Sequence, residues 1–140
     1  MFQDGRIIGT QAIGAMDFGV CGEIETGSWL GQEFQGRGYG KEMRAAVLHL
    51  AFEGLGAQAA NSEAFYWNAA SISVSRSLGY EPNGEQVRAV EGKPVLQRCF
   101  RLTSEVWRAR TRPSYDVTVE GLATCLDMFG VEETKPNPPS

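Results

Sequence analysis

Cysteine and histidine are scarce in this chain, and their scarcity limits the chemistry that it can carry. Its 140 residues include three widely separated cysteines, Cys21, Cys99 and Cys125, and one histidine, His49. An odd number of scattered cysteines indicates neither a disulfide framework nor a metal cluster, so reduced thiols in a cytoplasmic protein are the simplest interpretation. A single histidine excludes a histidine-rich metal centre, and the sequence predicts no metal site.

Long apolar runs and an excess of positive charge are also missing. No stretch approaches the roughly 18 consecutive apolar residues that a membrane span requires. The first residues, Met1 to Asp4, lack the charged and then apolar layout of a signal peptide. The formal net charge is −4 and the pI is near 5.0, which argues against a nucleic-acid-binding surface. We therefore expect one domain that has neither nucleic acid nor a membrane as its partner.

Glycine is abundant by contrast, and one glycine-rich segment is the most informative feature of the sequence. Gln35-Gly36-Arg37-Gly38-Tyr39-Gly40 lies between an extended run, Gly27 to Gly31, and a helical pattern, Lys41 to Leu55. Alternate glycines permit a tight turn and leave room for a ligand to approach the backbone. A loop that leads into a helix N-terminus favours an anion, because unpaired amides and the helix dipole both attract negative charge. The segment predicts a pyrophosphate site, although a plain turn fits these residues equally well.

The spacing of this segment differs from that of the common nucleotide-binding loops. A Walker loop needs Ser or Thr after its lysine, whereas Lys41 is followed by Glu42. A dinucleotide fingerprint needs a third glycine three residues beyond the second, and that position is Met43. The remaining pattern is Gln-x-x-Gly-x-Gly.

A second segment follows about thirty residues later, from Asn68 to Tyr80. Asn68 is a suitable helix N-cap, and Gly79 suits the left-handed position after a helix. Together the two segments resemble the acetyl-CoA-binding signatures of the GNAT superfamily of N-acetyltransferases. The stretch Asp4 to Thr10 is similar to the hairpin turn and third strand of the same fold. The resemblance covers roughly residues 4 to 107 and is closest to the branch that acetylates ribosomal-protein N-termini.

Residue patterns predict an α/β chain in the order β-β-α-β-α-β-β. The first four elements are predicted as a strand Arg6 to Met16 after a turn at Asp4-Gly5, a flexible connection Phe18 to Gly22, a strand Glu23 to Leu30 and a helix Lys41 to Leu55. The later elements are predicted as a strand Ala59 to Phe65, a helix from Asn68, strands Glu85 to Val90 and Pro94 to Leu102, and helices Thr103 to Arg112 and Val117 to Phe129, with a frayed tail Pro136 to Ser140.

The resemblance implies a GNAT-like mixed central sheet with flanking helices, the acyl-CoA N-acyltransferase fold. In that family a first strand and two helices precede the second strand, and this sequence opens where the second strand would end. We therefore expect an N-terminally incomplete acyltransferase domain over residues 1–112, with a C-terminal extension over residues 113–140.

The cofactor residues follow from the resemblance. The backbone of Trp29, Leu30 and Gly31 would pair with the pantetheine arm as an added strand does. Asn68 and Ser71 would touch the same arm, and helix capping is their alternative role. The pyrophosphate would be held by Gln35, Gly36, Arg37, Gly38, Tyr39, Gly40 and Lys41. For Arg37 and Lys41 the alternative is a solvated surface charge.

The catalytic residues are predicted as Ser75 and Glu25. Many family members have a tyrosine seven residues after the helix-opening asparagine, where it protonates the leaving thiolate; this chain has Ser75 there. A serine hydroxyl is a poorer proton source, and a plain helix-surface hydroxyl is the alternative. Glu25, or Glu23 on the same strand, would deprotonate the amine through water, unless both only form a polar exposed face.

The function implied is transfer of an acetyl group from acetyl-CoA to a primary amine by direct attack, without a metal. Acetyl-CoA and an amine acceptor are then the partners. One alternative is a non-catalytic acyl-CoA-binding or regulatory module, which Ser75 and the missing front favour. Another is an assembly domain in which the glycine loop is only a turn. An unpaired sheet edge also predicts a homodimer.

Overall fold

Strands and helices follow one another in the order that the residue patterns indicate, except for an additional N-terminal hairpin strand and an additional helical turn before the fourth strand. The structure is a computed structural model that describes residues 1–110 and 115–131. Its strands are β1 (Phe2–Gln3), β2 (Arg6–Ile7), β3 (Gly9–Gly14), β4 (Glu23–Leu30), β5 (Ala59–Phe65), β6 (Glu81–Val90) and β7 (Lys93–Thr103). Its α-helices are α1 (Phe18–Cys21), α2 (Tyr39–His49), α3 (Ala69–Leu78) and α4 (Ser104–Ala109). Short 3₁₀ turns occupy Gln32–Phe34 and Leu122–Phe129.

Five of the strands form one mixed sheet in the order β3-β4-β5-β7-β6. β4 and β5 are parallel, and the other neighbours are antiparallel. The parallel pair is joined through α2, as a crossover between parallel strands requires. β1 and β2 form a separate hairpin, whose turn at Asp4 and Gly5 has positive φ angles of 48° and 75°. The α/β fold predicted from the sequence is confirmed.

The two faces of the sheet differ in character. Along β4, Ile24 and Thr26 are buried, whereas Glu25 on the opposite face is exposed, as alternation in a strand dictates. Helices α2 and α3 pack against the buried face. The core between them and the sheet includes Leu48, Phe52, Ile72, Leu78, Phe100 and Leu102. We call the opposite side, which carries Glu23, Glu25, Asn61 and Arg101, the polar face.

Some predicted boundaries are confirmed and others are wrong. β4 and β5 have the predicted limits, and the helix after Asn68 forms as expected. The expected flexible connection at residues 18–22 is instead one helical turn, α1. The expected strand at residues 6–16 is split between β2 and β3.

β6 begins four residues before its predicted start at Glu85, and β7 is one residue longer at each end than predicted. The remaining differences concern helices. α2 begins two residues earlier than predicted and passes into a π-helical turn at Leu50–Gly54. The predicted helix at residues 117–129 is a 3₁₀ helix confined to Leu122–Phe129. α4 is capped by Thr103, whose side chain accepts a hydrogen bond from the Val106 amide. The tail at 136–140 and the domain boundary at 112 lie outside the described residues.

In the part of the chain that the structure describes, no helix is long and apolar enough to cross a bilayer.

Candidate active site

Strands β4 and β5 separate midway along their length. They pair from Glu23 with Ala59 to Thr26 with Ser62, and the pairing then stops. β4 continues to Leu30 while paired only with β3, and β5 continues to Phe65 while paired only with β7. The divergence leaves a wedge between 27–30 of β4 and 63–65 of β5, with its apex at Thr26 and Ser62. Backbone groups that face this wedge and have no partner among the described residues can pair with an extended ligand.

The glycine loop follows the open end of the wedge and leads into α2. Gly36 and Gly38 have positive φ angles of 74° and 86°, a conformation that other residues adopt only with strain. Gly38 is the N-cap of α2, and no side chain caps the helix. A Cβ atom on either glycine would meet no heavy atom within 4 Å, so the space above the loop is empty of described protein atoms. The first amides of α2 are therefore available to an anion.

Side chains around the loop hold it in place. The Gln35 amide donates a 3.1 Å hydrogen bond to the Leu30 carbonyl and so ties the loop to the end of β4. The Tyr39 hydroxyl accepts a hydrogen bond from Gln3 in the N-terminal hairpin. Arg37 is exposed, with its guanidinium 6.0 Å from the centre of the Phe34 ring. Lys41 is half-buried in the first turn of α2. Both cations therefore lie within three residues of Gly38, the N-cap of α2.

The predicted pantetheine-binding residues lie at the open end of the wedge. Trp29 is 62% exposed and lies on the polar face of β4. Leu30 is half-buried. The Gly31 amide donates a 2.9 Å hydrogen bond to the Ile8 carbonyl. This N–H is therefore already used within the protein. The cofactor roles of all three residues stay predictions.

Helix α3 lies beside the loop, because a Cβ atom on Gly40 would be 3.7 Å from the Val74 side chain. Asn68 caps α3, and its side chain accepts a 3.1 Å hydrogen bond from the Ser71 amide. The capping role of Asn68 is thus confirmed, while contact of Asn68 and Ser71 with a cofactor stays a prediction. Gly79 ends the helix with a φ of 98°, as expected.

Ser75 is fully buried and faces the core rather than solvent, which excludes the alternative of a helix-surface hydroxyl. Its Oγ accepts a 3.4 Å hydrogen bond from a guanidinium nitrogen of Arg44. Its neighbour Ser73 is exposed. The catalytic role of Ser75 stays a prediction. Its hydrogen bond with a buried cation was not predicted from the sequence.

Arg44 is the main feature of the site that the sequence pattern missed. This α2 residue is 3% exposed. Its guanidinium donates hydrogen bonds of 3.1 Å to Ser62 on β5 and 3.0 Å to Ser28 on β4, besides the one to Ser75. The helical spacing indicates the burial of Arg44. Arg44 lies four residues before Leu48, which is buried, so both residues share one face of α2.

Tyr80 adds a buried hydroxyl near the cluster that Ser28, Ser62 and Ser75 form around Arg44. It is 4% exposed, and its hydroxyl lies 3.2 Å from the Thr26 hydroxyl at the wedge apex. Burial raises the pKa of Tyr80, although the Thr26 hydrogen bond and the nearby Arg44 charge act in the opposite direction. Tyr80 is therefore neutral at physiological pH and does not neutralise the charge of Arg44.

The two candidate bases on the polar face differ in their surroundings. Glu23 accepts hydrogen bonds of 2.6 and 2.7 Å from Arg101 and one of 3.0 Å from Asn61. The Arg101 and Asn61 hydrogen bonds lower the pKa of Glu23 from 4.5 to about 2. So weak a base is poorly suited to accept a proton. Glu25 is exposed one residue before the wedge apex, and its role as a base stays a prediction. Among the described residues, no group of His, Cys, Asp and Glu side chains is arranged to hold a metal ion.

A mixed sheet that diverges between two parallel strands, with a glycine loop at the open end and helices on one face, is the acyl-CoA N-acyltransferase fold. The acetyltransferase (GNAT) domain model matches residues 1–81 of this chain. The chain belongs to the GNAT acetyltransferase family.

Solved structures agree with this assignment. A probable acetyltransferase is 25% identical with a TM-score of 0.69, over 74% of this chain and 60% of its own. A ribosomal-protein-S5-alanine acetyltransferase from Vibrio fischeri is 19% identical with a TM-score of 0.69, over 79% of this chain and 59% of its own. A variant of spermidine N-acetyltransferase SpeG from Vibrio cholerae is 15% identical with a TM-score of 0.68, over 75% and 63%. The chain thus spans about three fifths of the length of these proteins.

Proposed function

We propose that this chain transfers an acetyl group from acetyl-CoA to a primary amine, either a protein N-terminus or a small-molecule amine. The observation that carries the proposal is the wedge between β4 and β5 with the glycine loop at its open end. An acyl-CoA has the complementary shape, because an extended arm with amide groups is attached to a diphosphate. The diphosphate would bind the amides of Gly38, Gly40 and Lys41, and the arm would pair along β4 towards the apex.

The transfer itself needs an amine that has lost its proton and a carbonyl held close to it. The amine nitrogen attacks the thioester carbon and forms a C–N bond, and the tetrahedral intermediate then breaks its C–S bond. Glu25 would receive the ammonium proton through water, because it lies next to the apex on the polar face. Glu23 is not proposed for this step, since its pKa of about 2 leaves it a very weak base.

The second candidate is a non-catalytic acyl-CoA-binding or regulatory module. The full burial of Ser75 favours it, because a serine that is shielded from solvent has little access to a proton for a leaving thiolate. Both candidates use the same wedge and loop, so they differ only in turnover. The third reading, an assembly domain, requires that no cofactor binds.

Calorimetric titration with acetyl-CoA, followed by a thiol-release assay over a panel of amines, separates these functions. Turnover of at least one amine is expected. Binding without turnover would support the module. Absence of binding would overturn both proposals and leave the assembly domain.

Substitution of Gly38 tests the loop directly. Gly38→Leu should abolish acetyl-CoA binding, because the side chain would project into the space assigned to the diphosphate. The positive φ also adds a strain of about 1–2 kcal/mol, which needs a control. Gly92→Leu, in the β6–β7 turn with a φ of 74° and open space around it, has the same kind of strain away from the loop. Calorimetry should show wild-type affinity for Gly92→Leu, and unchanged affinity in Gly38→Leu would refute the loop assignment.

A further inference from the structure

Within residues 1–110 and 115–131 the buried guanidinium of Arg44 has no acidic partner. Its hydrogen bonds go to the hydroxyls of Ser28, Ser62 and Ser75, the neutral Tyr80 hydroxyl also interacts with it, and its Nε has no hydrogen-bond partner among these residues. Burial of an unpaired charge is unfavourable by several kcal/mol, so proteins rarely retain one without compensation. Hydroxyl oxygens orient towards the guanidinium but have no net charge. The positive potential around Arg44 is therefore not neutralised.

The position of this charge is as informative as its burial. Ser62 belongs to the last pair before β4 and β5 separate, and Ser28 lies two residues past that point on β4. Arg44 thus spans the apex of the wedge, with one hydrogen bond to each diverging strand, and reaches Ser75 on α3 with a third. Ser28 is itself exposed, so the cluster extends from the core to the wedge.

Two groups become negative during acyl transfer: the carbonyl oxygen in the tetrahedral intermediate, and the sulfur of coenzyme A when the C–S bond breaks. We propose that the sulfur lies at the apex of the wedge and that Arg44 stabilises its thiolate electrostatically, with the exposed Ser28 hydroxyl on the wedge side of the charge. The inference rests on the proposed function, since it assumes that an acyl-CoA arm lies along β4. A buried charge acts over several ångströms through a medium of low dielectric, so no direct contact with sulfur is required.

Departure of the thiolate does not require a tyrosine on α3 as a proton donor. When the C–S bond breaks, its electron pair stays on sulfur and the thiolate departs as an anion. The positive charge of Arg44 lowers the energy of that anion relative to the neutral thioester. The thiolate then takes a proton from water, while the amine proton leaves separately towards the polar face. Arg44 is thus a positioning and electrostatic residue, and it exchanges no proton.

A purely structural role for Arg44 makes a different prediction. If the guanidinium only joined β4, β5 and α3, its loss would destabilise the fold but would leave the acidity of a bound thiol unchanged. The pKa of the coenzyme A thiol in the complex therefore separates the two roles. A cysteine thiol titrates near pH 8.5, and an adjacent cation lowers the pKa of a thiol, that of coenzyme A included.

The experiment is a pH titration of coenzyme A bound to the protein, followed by the ultraviolet absorbance of its thiolate. In the wild type we expect the pKa of the bound thiol to lie about one unit or more below that of free coenzyme A, which raises the thiolate fraction about tenfold below that pH. Arg44→Met should return it to the free value, and Arg44→Lys should retain most of the shift. Arg76→Met, which removes an exposed cation next to Ser75 on α3, is the matched control and should change nothing.

The outcomes distinguish failure of the proposed function from failure of the role assigned to Arg44. If coenzyme A does not bind to the wild type, the proposed function fails. If it binds but its thiol titrates as in free coenzyme A, the role of Arg44 is refuted and the proposed function stands. An equal shift in wild type and Arg44→Met also refutes it. Should Arg44→Met not fold, Arg44→Gln keeps hydrogen bonds to the serines and tests the charge alone.

Discussion

The contact between Glu23 and Arg101 joins two strands across β5 on the polar face. Both side chains are 36% exposed, and two short hydrogen bonds give the pair a bidentate geometry. The bidentate contact makes this pair stronger than a single exposed ion pair, although solvent still screens it. A carboxyl that is stabilised as an anion in the fold makes stability depend on pH.

The pH dependence has a definite sign. The pKa of Glu23 is about 2 in the fold and 4.5 without it, so the pair stabilises the protein above about pH 4.5. That contribution is lost as the pH falls from 4.5 towards 2. Arg101→Met should therefore lower the free energy of unfolding at pH 7 by on the order of 1 kcal/mol, and by less at pH 3. Urea denaturation at the two pH values measures the difference.

A second ion pair on the same face supplies the control for this prediction. Arg88 and Glu63 approach to 3.2 Å through one hydrogen bond, with side chains that are 56% and 32% exposed. Arg88→Met should cost less stability than Arg101→Met at pH 7. An equal loss for Arg101→Met at both pH values would show that packing, and not the charge of Glu23, is responsible.

At single residues the sequence predicts backbone conformation in the loop better than burial in the core. The φ values at Gly36 and Gly38 follow from a local rule about glycine, and they are as expected. Arg44 was missed because a charged residue in a helical pattern is normally assigned to the exposed face of the helix. Only the surrounding hydroxyls, which come from three distant segments, make its burial tolerable.

Asn68, the N-cap of α3, has a capping role and a predicted role in cofactor binding, and one substitution can separate the two. Asn68→Asp keeps an oxygen that accepts the Ser71 hydrogen bond and places negative charge at a helix N-terminus, so stability should be retained. It also removes the amide donor that would contact the pantetheine arm. We expect acetyl-CoA affinity to fall while Tm is unchanged.

Asn68→Ala provides the comparison, because it removes both the cap and the donor. It should destabilise the protein by about 1 kcal/mol, as measured by denaturation, and weaken cofactor binding to a similar extent as Asn68→Asp. If Asn68→Asp binds acetyl-CoA as tightly as the wild type, Asn68 is only a cap.

Elements that strong local signals delimit were predicted well. β4 has the predicted limits, and the glycine at position 79 ends α3. α1 was missed because it is a single turn between a left-handed Asp17 and a left-handed Gly22, and neither its length nor its composition gives a helical period. The π-helical turn at Leu50–Gly54 was also invisible, because it depends on hydrogen bonds such as Leu55 to Leu50 and not on propensity.

For the whole molecule, a ligand that binds only the folded state must raise its stability. Acetyl-CoA at about 100 times its Kd should add about 2.7 kcal/mol and raise Tm by on the order of 10 °C. Pantetheine, which lacks the diphosphate, should leave Tm nearly unchanged at the same concentration, because the loop supplies the charged contacts. Thermal melting measures both. A pantetheine shift as large as that of acetyl-CoA would place the main affinity in the wedge and not in the loop.

The sheet order could be predicted from the sequence only through family resemblance. Local patterns identify strands, but they do not say that β7 lies between β5 and β6 or where β4 leaves β5. The polar face likewise results from the register of strands that are distant in sequence, which brings Glu23 beside Arg101. Acceptor choice is not a property of the fold, since solved structures of this fold carry the names ribosomal-protein-S5-alanine acetyltransferase and spermidine N-acetyltransferase.

The early separation of β4 and β5 has a consequence for the empty protein. Past Thr26 and Ser62 the two strands no longer pair with each other, so the main-chain groups on their inner edges that have no partner among the described residues are hydrated before any ligand arrives. Association is then an exchange, in which ordered water leaves as amides of the incoming arm replace it. Much of the selectivity for a long, amide-bearing thioester would come from how completely it replaces that water.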